Sequence, residues 1–132
     1  MGSLDQAYSN KLLNQSTTEA SAPTTTSPLH CRLMTVNGSS TVNGTELATS
    51  GGYTSGTGAP TITFAAAAAG STSSNSAVTV TNMPATTING IELWDSSGTP
   101  QRVWWGAMAA AKTTNAGDTF SILTGQLTLA FP

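Results

Sequence analysis

The stretch IELWDSSGTPQRVWWGAM, residues 91–108, contains all three tryptophans of the chain and has the form of a β-hairpin. Its two flanks are rich in apolar and aromatic residues, and Ser96-Ser97-Gly98 forms a three-residue loop with Gly98 suited to the left-handed position of a bulge turn. This register sets Glu92 opposite Arg102. The stretch therefore predicts an antiparallel hairpin with a cross-strand ion pair, worth under about 1 kcal/mol if it is exposed.

The same register divides the large side chains between two faces. Trp94 and Trp104 form an aromatic pair on the face of the ion pair, and Trp105 is a core anchor on the other face. The apolar face also carries Ile91, Leu93 and Val103. Trp94 and Trp104 are covered either by the N-terminal part of the same chain or by a subunit or ligand, and both alternatives stay open.

The composition extends the β prediction to the whole chain. The 132 residues include 24 Thr, 16 Ser and 13 Gly, and only 8% are charged, which favours strands and turns over exposed helices. Further strand-like segments are LHCRLMTV, TITF, AVTVT, TFSIL and QLTLAF. We expect an all-β fold: a single β-sandwich or jelly-roll-like domain of about seven to eight antiparallel strands.

The N-terminal segment has a different pattern. Ser3 and Gln6 have capping-box spacing, and a short helix is expected to start there. Its apolar face carries Leu4, Tyr8 and Leu12. The segment that follows is rich in Ser, Thr and Pro and predicts an extended arm, so residues 1–28 form a helix and arm and 29–132 the β-domain. The arm contacts either neighbouring subunits or its own domain.

Two connections have local signals of their own. The pair Asn43-Gly44 is a candidate for a tight hairpin turn. The run Ala65–Ala69 has helical propensity, but it is short and lies between two strand-like segments, so we expect a loop.

Charge and hydropathy exclude several classes of partner. The net charge of -2 provides no basic patch for phosphates, which argues against nucleic acid. No apolar run approaches the length of a membrane span, and no basic and apolar leader is visible. A neutral surface of Ser, Thr and Ala is easily desolvated, so we expect self-association, as a trimer or dimer.

No catalytic or metal-binding pattern is found. His30 and Cys31 are adjacent on a strand and point to opposite faces, so we expect His30 near the surface and Cys31 in the core. The carboxylates are scattered, and no cofactor or metal is expected. A carbohydrate-binding surface formed by Trp94 or Trp104 with nearby acidic residues is an alternative that the sequence leaves open. The candidate interaction residues are Tyr8, Leu12, Trp94, Trp104, Glu92 and Arg102.

Residues 72–131 resemble a family of small β-rich proteins of tailed bacteriophages. The resemblance lies in TSSNSAVTV, GIELWDSSG, VWWGAM and KTTNAGDTFSILTGQLTLAF, and most specifically in NAGDTF, residues 115–120. Residues 45–54, TELATSGGYT, resemble the middle of the family, whereas 29–44 lack its usual Asp-Pro loop. Family members are tail-fibre, virion structural or capsid decoration proteins, so the resemblance implies a non-enzymatic virion protein.

Two functions follow as expectations. The first is a capsid decoration protein that binds the major capsid protein, with the N-terminal helix and arm reaching a neighbour. The alternative is a tail or tail-fibre module that contacts other tail proteins and recognises the host surface. The low charge and the absence of an internal repeat favour decoration.

Overall fold

The computed structural model describes residues 2–18, 21 and 23–131. The elements in chain order are β1 (Ser3–Leu4), α1 (Gln6–Ser16), β2 (Leu29–Val36), β3 (Thr45–Glu46), a short 3-10 helix (Gly56–Gly58), β4 (Thr61–Ile62), β5 (Ser71–Ser73), β6 (Val78–Val80), β7 (Thr86–Trp94), β8 (Arg102–Thr114), β9 (Phe120–Ile122) and β10 (Thr128–Ala130). The predicted all-β, sandwich-like fold with one short N-terminal helix is confirmed. The described part has ten strands instead of seven to eight, because β1 (SL), β3 (TE) and β5 (STS) contain no alternation of apolar and polar residues long enough to predict a strand.

One large sheet and two strand pairs form the sandwich. The large sheet has the order β1-β8-β7-β2-β3, with β4 also paired to β2. The pairs β10-β5 and β6-β9 are antiparallel, as are the pairings of the large sheet. The core between them contains Cys31, Leu33 and Leu93 from the large sheet and Val78, Phe120 and Leu129 from the pairs.

The central strand β2 follows the predicted alternation, but both of its faces are covered. Cys31 and Leu33 face the core with no exposed surface, as the sequence predicts. His30, expected near the surface, is only 8% exposed, and its Nδ1 lies 2.8 Å from the carbonyl oxygen of Ala59. The expectation for His30 is wrong, because the face of β2 that carries His30 is covered too. The connection after β3 lies against it, and so do side chains near Trp94.

The hairpin forms, but in a different register from the predicted one. Trp94 pairs with Arg102, whereas Leu93 already pairs with Trp104, so Val103 is an extra bulged residue. A one-residue bulge moves every later side chain to the other face. Trp104 therefore shares the core side with Leu93, and Trp105 lies opposite Glu92 on the polar side. The predicted Trp94–Trp104 pair and the core position of Trp105 are wrong.

The loop of the hairpin is also longer than predicted. The backbone of Asp95 closes it on Gln101 with a 3.1 Å hydrogen bond, so five residues form the loop, and Gly98 does not adopt a positive φ. The pair Asn43-Gly44 forms no tight turn either, because residues 37–44 connect β2 and β3. At both places a backbone N–H donates to a side-chain carboxylate in place of standard turn hydrogen bonds: Gly44 donates to Glu92, and Gln101 donates to Asp95.

Two local predictions have different outcomes. The Ala65–Ala69 run is not helical, as expected, and ends in a turn in which Ala69 and Gly70 have φ of 50° and 77°. The helix cap is Asp5 and not Ser3, which belongs to β1. Asp5 Oδ1 accepts hydrogen bonds from the backbone of Ala7 and Tyr8, at 2.9 and 3.3 Å.

The described part of the arm lies along the hairpin loop of its own domain. The backbone N–H of Thr26 donates a hydrogen bond to the Asp95 carboxylate at 3.3 Å, and the carbonyl of Thr26 accepts one from the backbone N–H of Ser96 at 2.9 Å. The carbonyl of Thr24 accepts from the Gln101 side chain at 3.0 Å. Residues 1, 19, 20, 22 and 132 lie outside the described part, and the division at residue 28 stays a prediction.

Candidate functional site

The guanidinium of Arg102 lies at the centre of a buried charge cluster. Its Nε and Nη2 donate to Asp5 Oδ2 at 2.9 and 2.6 Å, and its Nη1 donates to Glu92 Oε1 at 2.9 Å. The carbonyls of Val42 and Ser39 accept from Nη1 and Nη2 at 2.9 and 2.7 Å. All five N–H groups of the arginine thus have acceptors, which is the condition for a stable buried charge.

Glu92 connects this cluster to the polar face of the sheet. It is 1% exposed, and its Oε1 also accepts from the backbone of Gly44 at 2.7 Å. Its Oε2 accepts from the Trp94 indole at 3.0 Å. The predicted Glu92–Arg102 ion pair is therefore formed, but it is buried between diagonal neighbours instead of exposed between opposite ones. Both partners lie away from the surface where an interaction was predicted.

A second charge pair covers Trp94. The guanidinium carbon of Arg32 lies 4.2 Å from the centre of the Trp94 ring, and Arg32 Nη1 lies 3.7 Å from Glu46 Oε2. Glu46 also accepts from the hydroxyl of Tyr53 at 2.7 Å. Burial, above all, raises the pKa of Tyr53, so the phenol stays neutral and also accepts from the backbone of Leu33. Trp94 is thus covered by its own chain.

The carboxylate of Asp95 organises the hairpin loop. It is 1% exposed and accepts from the backbone and side chain of Gln101, the hydroxyl of Ser97 and the backbone of Thr26. Burial raises its pKa, but these hydrogen bonds favour the charged form and lower the pKa overall. Asp95 is therefore ionised at neutral pH and joins the arm to the loop.

Replacing Asp95 with asparagine is expected to lower the free energy of unfolding by about 2 kcal/mol at pH 7, because charge-assisted hydrogen bonds are lost. A pKa lowered by folding stabilises the protein fully above the unfolded value of about 3.9, and this contribution is lost as the pH falls through the folded pKa. Urea unfolding at pH 7 and pH 3 tests this. The difference between wild type and variant should shrink at pH 3, and an unchanged difference would contradict the role of the charge.

Most charged side chains of the described residues are buried or half-buried, so few charges remain on the exterior. The charged residues that are buried or half-buried in these contacts are Asp5, Arg32, Glu46, Glu92, Asp95 and Arg102. In the described part of the chain, the exposed charged residues are Lys11, Lys112 and Asp118. A surface dominated by Ser, Thr, Ala and Gly is inexpensive to desolvate and repels a second molecule little.

Two open grooves lie on this exterior, and none of the described residues that line them carries a charged side chain. One, of about 660 Å³, lies between β8 and residues 121–129 and includes Trp104 and Met108. The other, of about 640 Å³, lies between α1 and the C-terminal residues 130–131. Trp104 lines the first groove and Phe131 the second, and the centres of their rings lie 6.2 Å apart. Such neutral, partly aromatic surfaces suit contact with another protein.

The two N-terminal candidate residues have different surroundings, and Leu12 borders the second groove. Leu12 lines it and is half-buried, whereas the hydroxyl of Tyr8 lies 2.6 Å from Thr25 Oγ1 in the arm. Trp104 is half-buried between the first groove and the core. The structure thus brings Leu12 and Trp104 to one side of the domain and places Glu92, Arg102 and Trp94 in the interior network. The role of Asp5 was not predicted, since no local pattern connects it with a residue 97 positions away.

Catalytic chemistry finds no support in the described geometry. Cys31 is fully buried, and this burial raises the pKa of its thiol to about 12, which keeps it protonated and unreactive. His30 lies on the opposite face of the same strand. The described residues contain no cluster of three or more potential metal ligands and no helix long and apolar enough to cross a membrane.

Comparison with known proteins identifies the family. A family model described as podophage GP4 fiber I protein gp80 matches residues 3–130. No curated protein matches the chain. The match covers the helix, the arm and the β-domain together, and it confirms the resemblance to phage virion structural proteins. The chain therefore belongs to the podophage GP4 fiber I protein family, a family of phage virion structural proteins.

Proposed function

We propose that this protein is a non-enzymatic structural module of a phage tail fibre, and that its neutral exterior contacts other tail proteins or further copies of the chain. The family match over residues 3–130 is the observation that carries this proposal, because the family is described as a fibre protein. It favours the tail-fibre alternative over the capsid decoration that the composition suggested.

The surface chemistry supports an assembly role. Six of the ten charged residues hold the domain together from within, and the two grooves present uncharged side chains. Burying Ser, Thr and Ala side chains costs little conformational entropy, so large contacts can form with modest loss. A trimer, and recognition of host glycans by Trp104, both stay predictions.

The copy number of the protein in purified virions tests the location. Quantitative mass spectrometry is expected to give a ratio to the major capsid protein far below one, as for a fibre with few copies per tail. Gold-labelled antibody should then mark the tail in electron micrographs. A ratio near one, with label over the head, would overturn the fibre proposal and support capsid decoration.

A further inference from the structure

One side of α1 borders an open groove that the described residues of the domain leave uncovered. Ser9, Leu12, Leu13 and Ser16 lie at positions i, i+3, i+4 and i+7 and line the groove beside Phe131. None of the residues of α1 is buried, and Leu13 and Phe131 are 62% and 59% exposed. This row, which we call the α1 seam, has the spacing of a helix–helix contact.

The α1 seam is the same when read in either direction. Two serines flank two central leucines, so the order is Ser, Leu, Leu, Ser from both ends. If a second α1 packs antiparallel about a two-fold axis that passes between Leu12 and Leu13, Ser9 lies beside Ser16 of the second copy, and each leucine lies beside its own counterpart. Leucines then meet at the centre and small residues at the ends, as an isologous two-fold contact requires.

Charge and rigidity agree with this contact. Among the described residues, neither the α1 seam nor the rest of the groove carries a charged side chain, so the described parts of two copies bring no like charges together there. The two hydrogen bonds that Arg102 donates to Oδ2 of the cap residue Asp5 fix the start of the helix to the β-domain. The seam is thereby held in one orientation, which lowers the cost of binding.

We propose that α1 packs antiparallel against α1 of a second copy of this chain, through the α1 seam and the adjoining Phe131. The contact produces a dimer, or a two-fold connection between larger assemblies. This inference goes beyond the fibre assignment and does not depend on it, because it rests on the helix and its groove alone.

Cysteine cross-linking tests the register. Two copies of Leu13 lie next to each other at the centre of the antiparallel seam, so Leu13→Cys is expected to form a disulfide-linked dimer on mild oxidation. Two copies of Ser9 lie about 10 Å apart along the axis, beyond the reach of a disulfide, so Ser9→Cys alone should remain uncross-linked. A mixture of Ser9→Cys and Ser16→Cys chains should form a mixed disulfide. The buried Cys31 leaves the wild type as an unreactive control.

Light scattering over a concentration series tests the contact without cross-linking. The wild type is expected to dimerise, and Leu13→Ser should raise the dissociation constant by at least about tenfold, since two leucines are lost per dimer. Val42→Ser is the matched control, because Val42 is also 62% exposed but lies outside the groove. Circular dichroism checks that each variant is folded. A monomer at all concentrations, a trimer, cross-linking of Ser9→Cys alone, or an equal effect of Val42→Ser would overturn the proposal.

Discussion

Replacing Arg102 with alanine is expected to lower the free energy of unfolding by about 3–5 kcal/mol, because it leaves two carboxylates near the interior without their cation. Glu92 is 1% exposed and would retain the backbone N–H of Gly44 and the indole N–H of Trp94 as its hydrogen-bond donors. Asp5 would lose the contact that joins α1 to the β-domain. Since small domains are stable by about 5–15 kcal/mol, this loss is a large share of the total. Urea unfolding followed by tryptophan fluorescence measures it.

Two further variants distinguish the effect of the buried charges on the unfolding free energy from the effect of removing any charge. Lys112→Ala removes an exposed cation and should change the unfolding free energy by less than about 0.5 kcal/mol. The double variant Arg102→Met with Glu92→Leu should be less destabilised than Arg102→Ala, because it removes the second buried charge as well. If Arg102→Ala is as stable as Lys112→Ala, the cluster does not hold the fold together.

Replacing Leu33 with alanine is expected to cost about 2–5 kcal/mol of unfolding free energy. Leu33 has no exposed surface and lies in β2, which pairs with β7, β3 and β4 in the large sheet. The core around it is held by strands on both layers, so it cannot close over the lost side chain without moving backbone. Chemical unfolding of the variant and wild type at the same pH gives the value.

Leu123→Ala is the matched control for this prediction. Leu123 follows β9 and is 58% exposed, so its truncation removes the same atoms without creating a cavity. The change should stay within about 0.5 kcal/mol. Similar losses for the two variants would contradict the assignment of the core to the space between the large sheet and the strand pairs.

Local sequence patterns predict part of the fold. The alternation in LHCRLMTV predicts β2 with its bounds, because the side-chain period of a strand is visible in eight residues. The hairpin around residues 91–108 is also predicted, but its register is not. One bulged residue, Val103, exchanges the roles of Trp104 and Trp105, and nothing in the local pattern marks that bulge.

The candidate site is predictable only in part, because local sequence patterns do not show contacts between distant parts of the chain. The sequence picks out Glu92 and Arg102 as a pair, because ten residues of hairpin bring them near each other. It does not indicate Asp5, which joins Arg102 from the opposite end of the chain, or Arg32, which lies over Trp94 from the next strand. No periodic pattern in the sequence indicates contacts between residues that are far apart along the chain.

The sequence by itself therefore determined the all-β class, the short N-terminal helix, the scarcity of charge and the resemblance to phage virion proteins. These properties follow from composition, period and local motifs, which act over a few residues. Only the tertiary structure decided where the charges lie, which tryptophan faces the core and which face of α1 stays open. Burial depends on what packs against a residue from elsewhere in the chain, and a single bulge or one ion pair across 97 positions changes it.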